Sequence, residues 1–181
     1  MRMMEREGEE ELVRAATRGD LAAFDTLVKH YRPAAIALAR QIVRSNERAE
    51  DTAQDALITA FKALPQLQDP IRFAAWLAAI VRHRARRISQ SREDQAIPLD
   101  EFIAQRVPAL QTREIRNEVS CAIEDLPEDQ RIPAELFYLQ EWSTLQISEF
   151  LSLPITTVKW RLHMARKSLR PRLAESLGIE Q

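Results

Sequence analysis

Apolar residues recur along most of the chain at intervals of three and four, the spacing that lays one buried stripe along an α-helix. Leu12, Ala15 and Ala16 begin the pattern in a helix that starts near Glu9. Asp20 is suited to cap a second helix, its carboxylate free to accept amide hydrogens, with Phe24, Leu27, Val28 and Tyr31 along one side. A third helical stretch runs through Ile36, Leu38, Ala39, Ile42 and Val43 and stops near Ser45 and Asn46, whose side chains compete with helical backbone bonding. Ala53, Leu57, Phe61 and Leu64 predict a fourth over 47–64. Pro65 and Pro70 bracket a loop, because proline donates no helical hydrogen bond and turns the residue before it away from helix. Beyond it, Phe73, Trp76, Leu77, Ile80 and Val81 predict a strongly amphipathic helix that closes the unit near Ser91.

The pattern then lapses. Residues 92–111 are acidic, contain Pro98 and Pro108, and read as a flexible linker between two domains, 9–91 and 112–177. The second domain opens on a helix carrying Ile115, Val119, Ala122, Ile123 and Leu126. Pro127 suits the first turn of the next helix, with Glu128 and Asp129 beside its positive end. Pro133 is awkward there and either kinks that helix or moves its start. Ser143 and Gln146 have the spacing of a capping box, and Leu145, Ile147, Phe150 and Leu151 follow as a short helix. After a turn at Ser152 and Leu153, Pro154 begins a last helix with Val158, Leu162, Ala165 and Leu169 as its buried stripe. The fold class expected is all-α: two small helical domains, the second a helix-turn-helix.

Composition supports that expectation. Apolar residues make up 45% and charged residues 29% of the 181, the balance of a globular protein, and three glycines are too few for a fold built on many tight turns. The net charge of -1 hides a cancellation between zones. Arg82, Arg84, Arg86, Arg87 and Arg92 form one basic cluster; Lys159, Arg161, Arg166, Lys167, Arg170 and Arg172 form another. The single cysteine, Cys121, excludes an internal disulfide and a cysteine-rich zinc site. An acidic N-terminus without a long apolar run, and no transmembrane segment, lead to the expectation of a cytoplasmic protein without membrane insertion.

On the last helix, Thr156, Trp160, His163 and Lys167 cluster opposite the apolar stripe, with Lys159 and Arg170 beside them. A face of that kind fits the DNA major groove, and Arg161, Arg166 and Arg172 sit where phosphates would lie. A basic helix alone is equally a solvated surface helix; the capped short helix before it favours DNA. Trp76 beside the arginines suggests a second nucleic-acid surface by stacking on unpaired bases, although a tryptophan in that stripe is more often core. No enzyme is expected, for there is no glycine-rich phosphate loop, and His30, His83 and His163 lie in separate segments and read as surface or interface residues. No metal and no cofactor is expected either.

These motifs resemble a known family. GDLAAFDTLVKHYRP, AEDTAQDALITAF and FAAWLAAIVRHRARR are similar, in order and spacing, to the second region of the extracytoplasmic-function (ECF) sigma factors of bacterial RNA polymerase. AIEDLPEDQR and LPITTVKWRLHMARKSLR are similar to their fourth region. The resemblance implies a factor that directs core RNA polymerase to promoter DNA and helps to open it, with an anti-sigma factor as a further partner. It implies that Glu50, Asp51, Gln54, Asp55 and Ile58 dock on the clamp helices of the largest subunit, while the fourth region meets the flap of the second-largest subunit. It implies a −10 element surface at Gln66, Arg72, Phe73, Trp76, Arg82, His83, Arg86 and Arg87. The −35 element falls to Thr156, Thr157, Lys159, Trp160, Arg161, His163, Arg166 and Lys167, and the linker matches a segment that threads towards the polymerase active site.

The chain departs from the family pattern at several of these places. His83 stands for a usual asparagine and Arg87 for a common aspartate; Thr156 replaces a glycine, Trp160 a serine, Met164 an arginine, and Ser152 a turn glycine. Trp160 is open to three roles: packing on a thymine methyl, occluding the groove, or contacting a protein partner. The competing expectation is a stand-alone helix-turn-helix regulator that binds operator DNA as a dimer.

Overall fold

The computed structural model describes residues 6–90 and 110–176. The expected linker, 92–111, therefore lies outside the described residues except for its last two positions. Every regular element described is helical. The chain divides into two compact units, one carrying the first four helices and the other most of the last four.

In the first unit, α1 (Arg6–Thr17) leads into α2 (Leu21–Val43), and three residues make the break between them. Gly19 adopts a φ of 95°, a left-handed conformation that glycine reaches without a Cβ clash. Its N–H closes on the Ala16 carbonyl at 2.9 Å and that of Asp20 on the Ala15 carbonyl at 3.1 Å, terminating α1. Asp20 then starts α2, its Oδ1 accepting from the amides of Ala22 at 2.9 Å and Ala23 at 3.1 Å. Two separate helices were expected over 21–43; the structure has one. Pro33 lies inside it and cannot donate to the preceding turn, a loss of about 3 kcal/mol in an exposed helix. Here Tyr31, Ala34, Ala35, Leu38 and Ala39 around it are all buried, and that packing holds the segment helical.

Left-handed Arg44 ends α2, and Ser45 caps α3 (Asn46–Ala63), its hydroxyl accepting from the Arg48 amide. Two single turns of 3₁₀ helix, Leu64–Gln66 and Pro70–Arg72, precede α4 (Phe73–Gln90). Helix α2 packs against α1, α3 and α4. Alanines at 49, 53, 56, 60, 74, 78 and 85 are buried on α3 and α4 and let these helices approach closely around Leu27, Phe73, Leu77 and Val81. Tyr31 meets Phe73 edge-on at 5.3 Å and donates its hydroxyl to the Glu9 carboxylate, which ties α1 to α2. His30, expected as a surface or interface residue, is instead buried on α2 beside Tyr31, and burial lowers its pKa.

The second unit contains α5 (Leu110–Glu124), α6 (Glu128–Ala134), α7 (Thr144–Leu151) and α8 (Ile155–Ser176). Pro127 is the N-cap of α6 rather than its first residue, while Glu128 and Asp129 occupy the first turn as expected. Pro133 does not move the start of α6. It lies buried inside it, and the chain continues into a π-helical turn, Glu135–Leu139. The Glu135 N–H is shared between the carbonyls of Arg131 and Ile132, and the wider winding shows at the end of the turn, where the Gln140 N–H donates to the Glu135 carbonyl five residues back at 3.3 Å. Ile123, Leu126, Ala134, Ala165 and Leu169 form one core cluster, with Val119, Ala122, Tyr138, Leu139 and Leu173 packed against it.

Candidate nucleic-acid interface

Helix α7 is fixed at both ends. At its start, the Gln146 amide donates to Ser143 Oγ at 3.2 Å while Gln146 Oε1 accepts from the Ser143 amide at 2.9 Å, the reciprocal capping box read from the sequence. At its end, Ser152 takes the left-handed conformation with φ 57°. The Leu153 amide donates to the Ser148 carbonyl at 3.0 Å and the Ser152 amide to that of Glu149 at 3.2 Å. This is a Schellman ending built on serine. Ser148 Oγ adds a hydrogen bond to the Leu153 carbonyl at 2.6 Å, which stiffens the turn into α8.

Along α8, Val158, Leu162, Ala165 and Leu169 are buried, as their spacing predicted. Thr156, Lys159, Trp160, His163, Lys167 and Arg170 are exposed on the opposite side, and Trp160 leaves 54% of its surface open to solvent. Thr157 and Arg161 are half-buried. All three arginines expected at phosphates have partners within the unit: Arg161 Nε lies 3.7 Å from Asp129 Oδ2, and Arg166 Nε donates to the Tyr138 hydroxyl at 3.3 Å. Arg172 reaches Asp125 at 2.7 Å. These contacts pin α8 to α6 and to the residues that flank it, and they set the angle at which the exposed face is presented.

The surface of α4 corrects one expectation. Phe73 is 1% exposed and packs on Tyr31, so it belongs to the core and has no surface to offer DNA. Trp76 is half-buried, its ring 6.0 Å from that of Phe73, and so divides its faces between core and solvent. Arg72, His83, Arg86 and Arg87 are exposed and Arg82 half-buried. Arg84 turns the other way and donates to Thr59 Oγ1 at 2.8 Å. Gln66 is exposed in the loop before α4, where Asp69 accepts from the Ile71 amide at 3.1 Å. Ile71 itself is exposed by 49%, an apolar side chain that sequence reasoning did not single out.

On α3 the five residues Glu50, Asp51, Gln54, Asp55 and Ile58 are all exposed and lie within one flank of the helix. Phe61 extends this flank, 38% exposed and 4.8 Å from the ring of Phe24. The sequence pattern had put Phe61 in the buried stripe. Asp55, Ile58, Thr59, Lys62, Gln66 and Arg84 line an open groove beside it. Acidic at one end and apolar at the other, the flank suits a basic protein surface with an apolar centre better than it suits a nucleic acid.

Fold and surfaces together define a two-unit DNA-binding protein: a helix-turn-helix with a basic, aromatic outer face, and a four-helix unit with both an arginine-rich and an acidic-apolar face. The sequence pattern named Sigma-70 region 2 matches residues 27–93, and that named Sigma-70, region 4, matches residues 116–169. The chain belongs to the sigma-70 family, with a region 2 and a region 4, the latter of the ECF type. Similar curated proteins include the RNA polymerase sigma-H factor of Pseudomonas aeruginosa, 28% identical over 96% of this chain and 100% of that one. The ECF RNA polymerase sigma factor SigW of Bacillus subtilis is 27% identical over 90% of this chain and 95% of its own. The ECF RNA polymerase sigma-E factor of Escherichia coli is 28% identical over 92% and 95% respectively. Two solved structures share the fold at 24% identity. CnrH in complex with the cytosolic domain of CnrY has a TM-score of 0.60 and covers 92% of this chain and 97% of that chain. The sigma factor RpoE in complex with the anti-sigma factor NepR, from Bartonella quintana, has a TM-score of 0.56 over 87% and 98%.

Proposed function

We propose that this chain directs core RNA polymerase to a particular set of promoters and assists opening of the DNA there, acting in the cytoplasm as an initiation factor with no bond chemistry of its own. The observation that carries this reading is that one chain presents two chemically opposed surfaces: the basic, aromatic face of α8 and the acidic, apolar flank of α3.

In this reading the α3 flank, Glu50, Asp51, Gln54, Asp55 and Ile58, docks on the clamp helices of the polymerase largest subunit. The exposed side of α4 and its preceding loop, with Gln66, Arg72, Trp76, Arg82, His83, Arg86 and Arg87, captures the −10 element. Arginines there hold phosphates, and the open face of Trp76 stacks on an unpaired base. Duplex −35 DNA needs no opening and is read by α8, through Thr156, Lys159, Trp160, His163 and Lys167. Arg161 and Arg166 serve mainly to orient that helix, being engaged by Asp129 and Tyr138. The second unit also meets the polymerase flap. An anti-sigma factor is the natural antagonist: one of the two solved structures that share the fold is a sigma factor in complex with an anti-sigma factor, and Ile58, Phe61 and Leu145 offer exposed apolar surface to such a partner here.

Promoter binding by the isolated chain and by its mixture with core polymerase tests the proposal. Specific retention of a promoter duplex is expected only in the mixture, together with stoichiometric association with the core. Failure to associate with the core would refute it.

A further inference from the structure

The indole of Trp160 is the large apolar group on α8 that the fold leaves unused. It is 54% exposed, whereas Trp142 in the same unit is 4% exposed, and no hydrogen bond or ring contact ties it to another described residue. It stands at the middle of the exposed face, one turn after Thr156 and one turn before His163 and Met164, with Lys159 and Lys167 on the same side. Those two cations favour a polyanion as the occupant of this face over an apolar protein surface.

What an indole can read in a major groove is narrow. It has one N–H donor and no acceptor, so it cannot make the paired hydrogen bonds by which arginine selects guanine or asparagine selects adenine. Its remaining asset is a flat apolar surface, and the apolar feature among the major-groove base edges is the thymine C5 methyl. Opposite thymine the ring and the methyl cover each other. Opposite cytosine the same ring is desolvated against an exposed amino group with no acceptor to offer it.

The geometry points to Trp160 as a specificity-determining residue of α8, one that selects thymine at a single base pair of the −35 element through its methyl group. This inference rests on the reading of α8 as the −35 helix.

The test uses holoenzyme assembled from core polymerase and the full chain. A duplex promoter library with the −35 positions randomised gives the preferred element, and each thymine in it is then replaced in turn by deoxyuridine, which removes the methyl and nothing else. At one position binding should fall about three- to tenfold, the scale of one buried methyl-sized contact. Trp160→Ala should weaken binding to the thymine duplex by a similar factor and no longer distinguish thymine from uracil there, while Trp160→Phe keeps part of the discrimination. Uracil tolerated at every position, or Trp160→Ala discriminating as the parent does, overturns the inference with the −35 preference intact. So does loss of a protein partner in Trp160→Ala while DNA selection is unchanged. A library that yields no −35 preference refutes the reading of α8 itself, and the inference with it.

Discussion

Ser143 and Gln146 hold each other across the first turn of α7: the Gln146 amide donates to the Ser143 hydroxyl at 3.2 Å, and the Ser143 amide donates to Gln146 Oε1 at 2.9 Å. Two amides that the helix itself cannot satisfy are thereby paired, in a helix of only eight residues that has little propensity of its own to stand alone. Ser143→Ala is expected to destabilise the second unit by about 1 kcal/mol, measured by urea unfolding, and to lower −35 affinity in holoenzyme as α7 frays. Ser143→Thr should restore most of both.

The other end of α7 stores strain where the first end relieves it. Ser152 is held at φ 57°, a conformation that costs a residue with a Cβ about 1 kcal/mol relative to glycine. Ser152→Gly is expected to raise the unfolding free energy by up to about 1 kcal/mol, and β-branched Ser152→Val to lower it by more. Thermal melting of the two variants against the parent checks the order.

Reading the second unit from sequence worked because its signals are local. The capping box, the proline before α8 and the stripe of Val158, Leu162, Ala165 and Leu169 each act within a few residues. Features decided by tertiary packing were not legible in the same way. Pro33 alone would divide α2, and only the burial of Tyr31, Ala34 and Ala35 keeps the helix whole. Phe73 and Trp76 are three residues apart on an amphipathic helix, and the pattern does not tell which ring turns inward; packing on Tyr31 buries the first and leaves the second divided. At Pro133 the sequence pattern allows a kink or a displaced start; the structure uses a third solution, a π-helical turn just downstream. The docking flank on α3 follows from family resemblance and not from any local pattern, because exposed polar residues on a helix carry no signal of what covers them.

The flank makes its own prediction. Asp51 and Gln54 are exposed and contribute nothing to the core of the first unit, so their replacement should leave folding intact. Asp51→Arg is expected to weaken association with core polymerase about tenfold or more, and Gln54→Ala by less, with melting temperatures unchanged. Unaltered affinity in both, measured by competition against a labelled sigma factor, would remove this surface from the account.

His30 gives the first unit a pH dependence whose sign follows from its burial. Desolvation depresses its folded-state pKa below 6.5, so on acidification the unfolded chain takes up a proton before the folded one does. The contribution of neutral His30 to stability is complete above about pH 6.5 and is lost as the pH falls through the folded-state value. Stability measured from pH 7.5 down to 5.5 should therefore decline in the parent. His30→Gln, which cannot be protonated, should show a shallower decline over the same range.

The central claim is that this chain confers promoter choice on a polymerase that lacks it. Run-off transcription measures that directly, using sigma-free core enzyme, the purified full chain and a template bearing its candidate promoter. The account predicts transcripts from one defined start, absent when either protein is omitted and lost on charge reversal at Asp51. It would be contradicted by a chain that binds a palindromic duplex as a dimer without polymerase and leaves the start-site choice of the core unchanged.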